Sequence, residues 1–177
     1  VALHDPLRAS APGAIAAARE AGVGVLLLTG DHEETGRAVG RAIGLPEGAV
    51  FARVTPAEKL RLVERLQAAG EVVAVTGDGV NDAPALRRAD VGVAMGLSGT
   101  ETAREAADIV LTDDEFATVV AALREGRRIA DNVRKFVAFL LSANLGEVVL
   151  FAGAILAGLG APMTVAQVLL VNVVTDG

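Results

Sequence analysis

The 177-residue chain carries 22 acidic against 16 basic residues, a net charge of −6, and only 3% aromatic residues, so it offers neither a broad basic surface nor a base-stacking platform for nucleic acid. It has no Cys, which excludes disulfides, thiolate metal sites and cysteine nucleophiles. Hydrophobic residues make up 52%, high for one soluble domain, and they are unevenly placed: in residues 136–177 the only charged side chains are Glu147 and Asp176.

The chain opens on Val1 without a basic and apolar leader and stops at Asp176-Gly177 without a polar tail, so it is expected to be a piece of a longer protein. Residues 11–21 have helical composition and are closed by Gly22, as a C′ glycine would close them. Residues 23–28 form an apolar β-type run ending in Thr29-Gly30-Asp31. Residues 32–43 read as a helix stopped by Gly44, and Val50-Phe51 as a short strand. Thr55-Pro56-Ala57-Glu58 matches a capping box with Pro at the first helical position, opening a helix to about Ala69. Its first turn carries Lys59, which opposes the helix dipole; this suggests an anionic partner, a solvated lysine being the alternative.

Residues 72–75 repeat the apolar run and deliver Thr76 and Asp78 to a second turn, Thr76-Gly77-Asp78-Gly79, that its glycines keep free of side chains. Asn81, Asp82 and Pro84 then read as a helix start, residues 91–95 as a strand, 99–107 as a helix and 109–111 as a last short strand. Taken alone, Asn81 or Asp82 would be only a cap and the glycines only turn residues. The repetition argues for a site: two buried parallel strands, each followed by a helix, would place both Thr-Gly-Asp turns on one rim of an open α/β sheet.

Asp113-Asp114-Glu115 sits where acids suit a helix N-terminus and is assigned to capping rather than to a metal. The helix beginning there has apolar Phe116, Val119, Val120 and Leu123 at helical spacing and basic Arg124, Arg127, Arg128, Arg134 and Lys135 towards its far end. It continues into the 24 apolar residues 136–159, about 36 Å as a helix and enough to cross a hydrocarbon core of about 30 Å. The basic cluster places the near end in the cytoplasm. Residues 158–162 make a turn, and 165–177 start back across.

Glu147 lies 12 residues past Lys135, about 18 Å deep by helical rise, and counting back from the shared turn puts Asp176 at nearly the same depth. Asn144 and Asn172 share a helix face with their respective acids, and Thr175 adds a hydroxyl. The amides alone would read as helix–helix hydrogen bonding. Ionised acids at this depth cost at least about 2.5–3.5 kcal/mol each, so an ion site is the better account. Oxygen ligands from two helices suit a hard cation such as Ca²⁺, with further ligands from segments outside the chain.

The stretch Thr76-Gly77-Asp78-Gly79-Val80-Asn81-Asp82-Ala83-Pro84, with Thr29-Gly30-Asp31 and Lys59, resembles the cation-pumping P-type ATPases, and within them the Ca²⁺-pumping branch. The resemblance covers essentially the whole chain. It implies an α/β fold: a partial haloacid dehalogenase-like, Rossmann-type parallel sheet over residues 1–114, a stalk helix over 115–135, and a transmembrane helical hairpin over 136–177 with its second helix truncated. It also implies that Asp78 helps hold the Mg²⁺ bridging to the phosphoryl group, with Asn81 and Asp82 supporting the loop. Thr29 and Gly30, in the turn that Asp31 completes, would contact phosphoryl oxygens, and Lys59 would neutralise their charge. Phosphoryl transfer is mainly positioning and electrostatic stabilisation, so these are the parts it needs.

By the same resemblance Asn144, Glu147, Asn172, Thr175 and Asp176 match the Ca²⁺ ligands the family takes from these two helices. Asn172 stands where a sodium–potassium pump would carry a further acid, which favours Ca²⁺, with Mn²⁺ as the alternative. The whole so implied is a multi-pass integral membrane ATP hydrolase, its α/β part cytoplasmic, using ATP and Mg²⁺ and completed by the missing segments of its own chain. The coupling element would be the long helix from about Glu115 to Leu159. No Asp-Lys-Thr-Gly-Thr bearing a phosphorylated aspartate occurs here, nor a Thr-Gly-Glu loop or nucleotide-binding domain, so the piece is expected to be inactive alone. His32 replaces an Asn often found after Thr-Gly-Asp and is assigned no role. Two other readings stay open. One is a membrane-anchored haloacid dehalogenase phosphatase, which would need an Asp-x-Asp loop, whereas Asp5 has no preceding strand. The other is a non-enzymatic membrane or interaction module.

Overall fold

The computed structural model describes residues 7–176; the side chains of Thr175 and Asp176 lie outside that description, as does Asp5. Helix α1 (Ala11–Glu20) ends where Gly22 adopts φ +75°, the left-handed conformation that a side chain would resist. Strand β1 (Leu27–Leu28) pairs in parallel with β2 (Val50–Phe51), and α2 (Glu33–Ala42) connects them. Helix α3 (Pro56–Ala68) opens on the expected capping box: Glu58 N donates to Thr55 Oγ1 at 3.3 Å, and Thr55 N donates to Glu58 Oε2 at 2.8 Å. The Thr55 N–H, and then the Thr55 hydroxyl at 2.7 Å, donating to the Glu58 carboxylate hold its carboxyl below its ordinary range.

A second sheet follows, with β3 (Ala74–Gly77), α4 (Ala83–Arg88), β4 (Val91–Met95), α5 (Glu101–Ala106) and β5 (Ile109–Leu111). Its order is β3-β4-β5 and both pairs are parallel, with Thr76 opposite Val93 and Val93 opposite Ile109. Gly92, Val93 and Ala94 of the central strand are all buried, as expected for a parallel strand covered on both faces. Leu86 of α4, with no exposed surface, packs with Ala94, Ala103 and Ala106, and Val63 of α3 packs with Val73 and Ala85.

The single sheet expected from the sequence is therefore resolved into two hydrogen-bonded sheets, of two and three strands. The strand pairing also covers less than the apolar runs: only residues 27–28 of 23–28 are paired, and the third strand is shifted to 74–77. Nor are the two strands buried as expected, β1 being half-buried and β3 alternating between exposed and half-buried residues; pairing requires a neighbouring backbone, and β1 has β2 alone.

Two compact units divide the chain, Val1–Arg124 and Glu125–Gly177. Helix α6 (Phe116–Leu156) runs for 41 residues, ending three residues short of Leu159, before a turn in which Gly158 and Gly160 take φ of +73° and +76°. It is long and apolar enough to cross a membrane, its most apolar window averaging a hydropathy of 1.9 with none of that window buried. A shorter apolar helix, α7 (Val165–Asp176), follows. At the other end of α6, Val120 is buried against Ala14 and Ala18.

The three acids before α6 do not all act as the expected cap. Only Asp113 fits that role, accepting from Glu115 N at 3.0 Å and Thr118 Oγ1 at 2.6 Å. Glu115 instead holds Arg8 Nη1 at 3.1 Å and the Ser10 hydroxyl, tying the start of α6 to the chain before α1. Asp114 is 3% exposed, takes φ +55°, and points its carboxylate at the loop after β4.

Candidate functional site

The second Thr-Gly-Asp turn is built at the carboxyl end of β3. Asp78 follows the last strand residue, and residues 80–82 form a single 3₁₀ turn leading into α4. Asp82 does not cap α4, although the sequence suggests it. Its carboxylate turns back: Oδ2 accepts from Gly79 N at 3.2 Å and Oδ1 accepts from Lys59 Nζ at 2.6 Å. Lys59 and Asp82 are only 19% and 14% exposed at their side chains, so this ion pair is poorly screened. The conflict between Lys59 and the α3 dipole is thus answered, at least in part, by the anionic partner the sequence suggests, a carboxylate of the same chain, and the solvated-lysine alternative does not hold.

This bracket explains Gly77. A Cβ there would lie 2.6 Å from Asp82 Cβ and 2.9 Å from its Cγ, so the close crossing of Asp82 over the strand end requires glycine. Asp78 is fixed through its main chain. Its carbonyl accepts from Thr100 N at 2.8 Å and Thr100 Oγ1 at 3.2 Å, and that same hydroxyl caps α5 by accepting from Ala103 N at 3.3 Å. The Asp78 carboxylate itself is exposed and takes part in no side-chain hydrogen bond or ion pair among the described residues. Asn81 is exposed on the 3₁₀ turn.

Thr29, Gly30 and Asp31 follow β1 in the other sheet. Thr29 Oγ1 donates to Asp31 Oδ2 at 3.0 Å and accepts from Asp31 N at 3.1 Å, so the hydroxyl closes its own turn. The segment after β2 holds this turn, with Val54 N donating to Thr29 O at 2.9 Å and Arg53 N to Asp31 O at 3.0 Å. Among the described residues no hydrogen bond or ion pair joins Thr29, Gly30 or Asp31 to Lys59, Asp78 or Asp82. The structure thus joins Lys59 to Asp82, four residues past Asp78 on the same turn, while the first Thr-Gly-Asp turn follows a strand of the other sheet. Thr100 and Asp114 were missed by sequence reasoning; a Thr followed by Glu101 at the start of a helix is an N-cap signal that could have found the first.

The donor set around Asp78 fits Mg²⁺. Among the described residues no three His, Cys, Asp or Glu side chains converge into a cage. Mg²⁺ ordinarily asks for one or two carboxylates, with phosphate oxygens and water filling the remaining positions, and one unpaired carboxylate on a rigid turn meets that need.

In the apolar helix pair, Glu147 of α6 and Asn172 of α7 are both partly buried and meet directly. With the amide oriented to satisfy both groups, the Asn172 nitrogen donates to Glu147 Oε1 at 3.0 Å and Oε2 at 3.2 Å. Asn144 lies exposed on α6. Thr175 and Asp176 end α7, and nothing is described of their side chains.

The profile of the haloacid dehalogenase-like hydrolases matches residues 1–90, and a second profile of the same description matches residues 59–123. A Mycobacterium bovis protein named "Probable cation-transporting ATPase F" is 47% identical over 203 aligned positions, covering 98% of this chain. The calcium-transporting ATPase of Bacillus subtilis is 43% identical over 198 positions, again covering 98% of the chain. The chain spans 22% of the length of each of these relatives. Among solved structures, a zinc-transporting PIB-type ATPase in its E2.Pi state superposes with a TM-score of 0.74 at 34% identity, over 89% of this chain and 25% of that one.

Proposed function

Because the chain belongs to the haloacid dehalogenase-like hydrolases and, among them, to the cation-transporting P-type ATPases, we propose that it is the segment of an ATP-driven Ca²⁺ pump that carries part of the Mg²⁺ and phosphoryl site and part of the membrane ion site. The observation that carries the reading is the contact of Glu147 with Asn172. A carboxylate within a membrane-length apolar helix is costly, and an amide from the next helix receives it. Oxygen donors at Asn144, Glu147, Asn172, Thr175 and Asp176 suit Ca²⁺. Residues 136–177 contain neither Cys nor His, the donors that Zn²⁺ favours, which supports a hard cation over Zn²⁺ at these helices.

On the phosphoryl side, Asp78 would hold Mg²⁺, which supplies charge neutralisation at the transferred group. Lys59 has three ammonium protons and donates one to Asp82, so it can meet a phosphoryl oxygen without leaving that partner. Asp82 keeps the Gly79 peptide in place. Thr29 and Gly30 would add donors to phosphoryl oxygens, for which the Thr29 hydroxyl must turn from Asp31. The nucleophilic aspartate, the nucleotide and the remaining ion ligands would come from the rest of the pump, a multi-pass membrane protein with this α/β unit in the cytoplasm.

In the full-length pump, Glu147→Gln should abolish Ca²⁺-dependent phosphorylation from ATP. Wild-type Ca²⁺ dependence in that variant would sink the ion-site assignment.

A further inference from the structure

We infer that Asp114 is a positioning residue for Asp78, acting through the loop of residues 96–100. The inference rests on the reading of Asp78 as the Mg²⁺ carboxylate. Asp114 is the one charged side chain among the described residues that is buried, and both its oxygens are spent on this loop. Oδ1 accepts from Leu97 N at 3.0 Å, and Oδ2 accepts from Ser98 N and Ser98 Oγ, each at 2.7 Å. Two residues further on, Thr100 places its N–H and hydroxyl on the Asp78 carbonyl.

The loop is also held from its other side. Arg104 Nη1 donates to Gly96 O and Gly99 O, both at 3.0 Å, and Gly96 N donates to Leu111 O at 2.8 Å. Gly99 folds so closely onto β4 that a Cβ would lie 1.9 Å from Met95 O. These contacts fix the course of the backbone and do not bury the loop, since Leu97 remains 76% exposed. What that course delivers is Thr100 against Asp78.

An apolar side chain at 114 would leave the Leu97 and Ser98 amides without this acceptor and the loop without its tie. A buried carboxylate whose donors all come from one loop is costly unless that loop must hold one position. The left-handed backbone at Asp114, φ +55°, is a further local cost borne at the same point. Those donors, the Leu97 N–H first among them, hold its carboxyl at about 2 against an ordinary 3.8, so it stays charged.

The test uses the 177-residue chain carrying Glu147→Gln and Asp176→Asn, which remove the carboxylates of the membrane ion site, in detergent micelles with Mn²⁺ as a paramagnetic stand-in for Mg²⁺, free Mn²⁺ being read by electron spin resonance. Binding lost in Asp78→Asn defines the Asp78 site. Asp114→Asn should weaken that binding about tenfold, at the low end of what loss of an outer partner costs a metal site. It should also lower hydrogen-exchange protection of the Thr100 amide. Ser98→Ala, which removes only one of the three donors, should move both readouts the same way by less. Ile15→Val, a truncation in the apolar cluster around the other sheet, should lower the unfolding midpoint and leave Mn²⁺ affinity unchanged. Wild-type Mn²⁺ affinity or Thr100 protection in folded Asp114→Asn, or in Ser98→Ala should Asp114→Asn not fold, overturns the inference while the reading of Asp78 stands. Wild-type Mn²⁺ binding by Asp78→Asn overturns both.

Discussion

Gly77→Ala is the most direct test of how the phosphoryl loop is built. The added Cβ would sit 2.6 Å from Asp82 Cβ, and restoring an ordinary contact of 3.4 Å requires a retreat of about 0.8 Å. Gly77 does not have positive φ, so backbone strain adds nothing and the effect is steric. Moving Asp82 by that much stretches its 3.2 Å bond to Gly79 N beyond hydrogen-bonding range and loosens the 2.6 Å pair with Lys59. Overpacking costs about 1–3 kcal/mol and a lost hydrogen bond to a charged group about 1.5–3 kcal/mol, offset by about 0.4–1 kcal/mol from the stiffer unfolded chain. A net destabilisation of about 2–5 kcal/mol is therefore expected. Urea unfolding in detergent, followed by far-ultraviolet circular dichroism because the chain has no Trp or Tyr, measures it. The decisive comparison is a pair of backgrounds. Asp82→Ala keeps the offending Cβ and should retain the overpacking cost, whereas Asp82→Gly removes it and should make Gly77→Ala nearly neutral. An equal cost in the wild-type and Asp82→Gly backgrounds would refute the steric account.

Three further outcomes follow from the packing and the charges. Leu86→Ala empties a fully buried site in the second sheet's core and should cost about 2–5 kcal/mol in the same unfolding measurement. Thr55→Ala breaks the capping box of α3 and should cost about 0.5–2 kcal/mol, while Thr55→Ser should restore most of it. The Asp114 carboxyl is depressed in the folded state, so its contribution is complete above about pH 4 and is lost as the pH falls from there towards about 2. Hydrogen exchange at the Leu97 and Ser98 amides, corrected for intrinsic pH dependence, should accelerate in that window; flat protection down to pH about 2.5 would contradict the assigned partner.

Local chemistry was legible wherever it involves residues close in sequence. The capping box at Thr55 and Glu58, the left-handed glycines after α1 and α2, and the strands at Val50-Phe51 and residues 91–95 all depend on neighbours within a few positions. The long apolar helix was legible for the same reason: its length and composition are properties of one continuous stretch. Asp114 was misread because its left-handed backbone turns it from the helix that follows towards a loop 16 residues earlier. That Lys59 has an anionic partner was legible, but which one was not, because Asp82 lies 23 residues further on.

By itself, then, the sequence determined which residues could carry the chemistry: a carboxylate on a glycine-flanked turn, a lysine on a first helical turn, and an acid with amides in a membrane-length apolar segment. Periodicity, capping and residue type act over a few positions, and these features need no more. Only the tertiary structure decided how they are used. It closes Lys59 onto Asp82, sends Asp82 back to Gly79, pins Asp78 through Thr100, sets Glu147 against Asn172, and puts Thr29–Asp31 after a strand of the other sheet. A carboxylate takes whichever donors the fold brings within about 3 Å, and that depends on crossings between elements that no local pattern records.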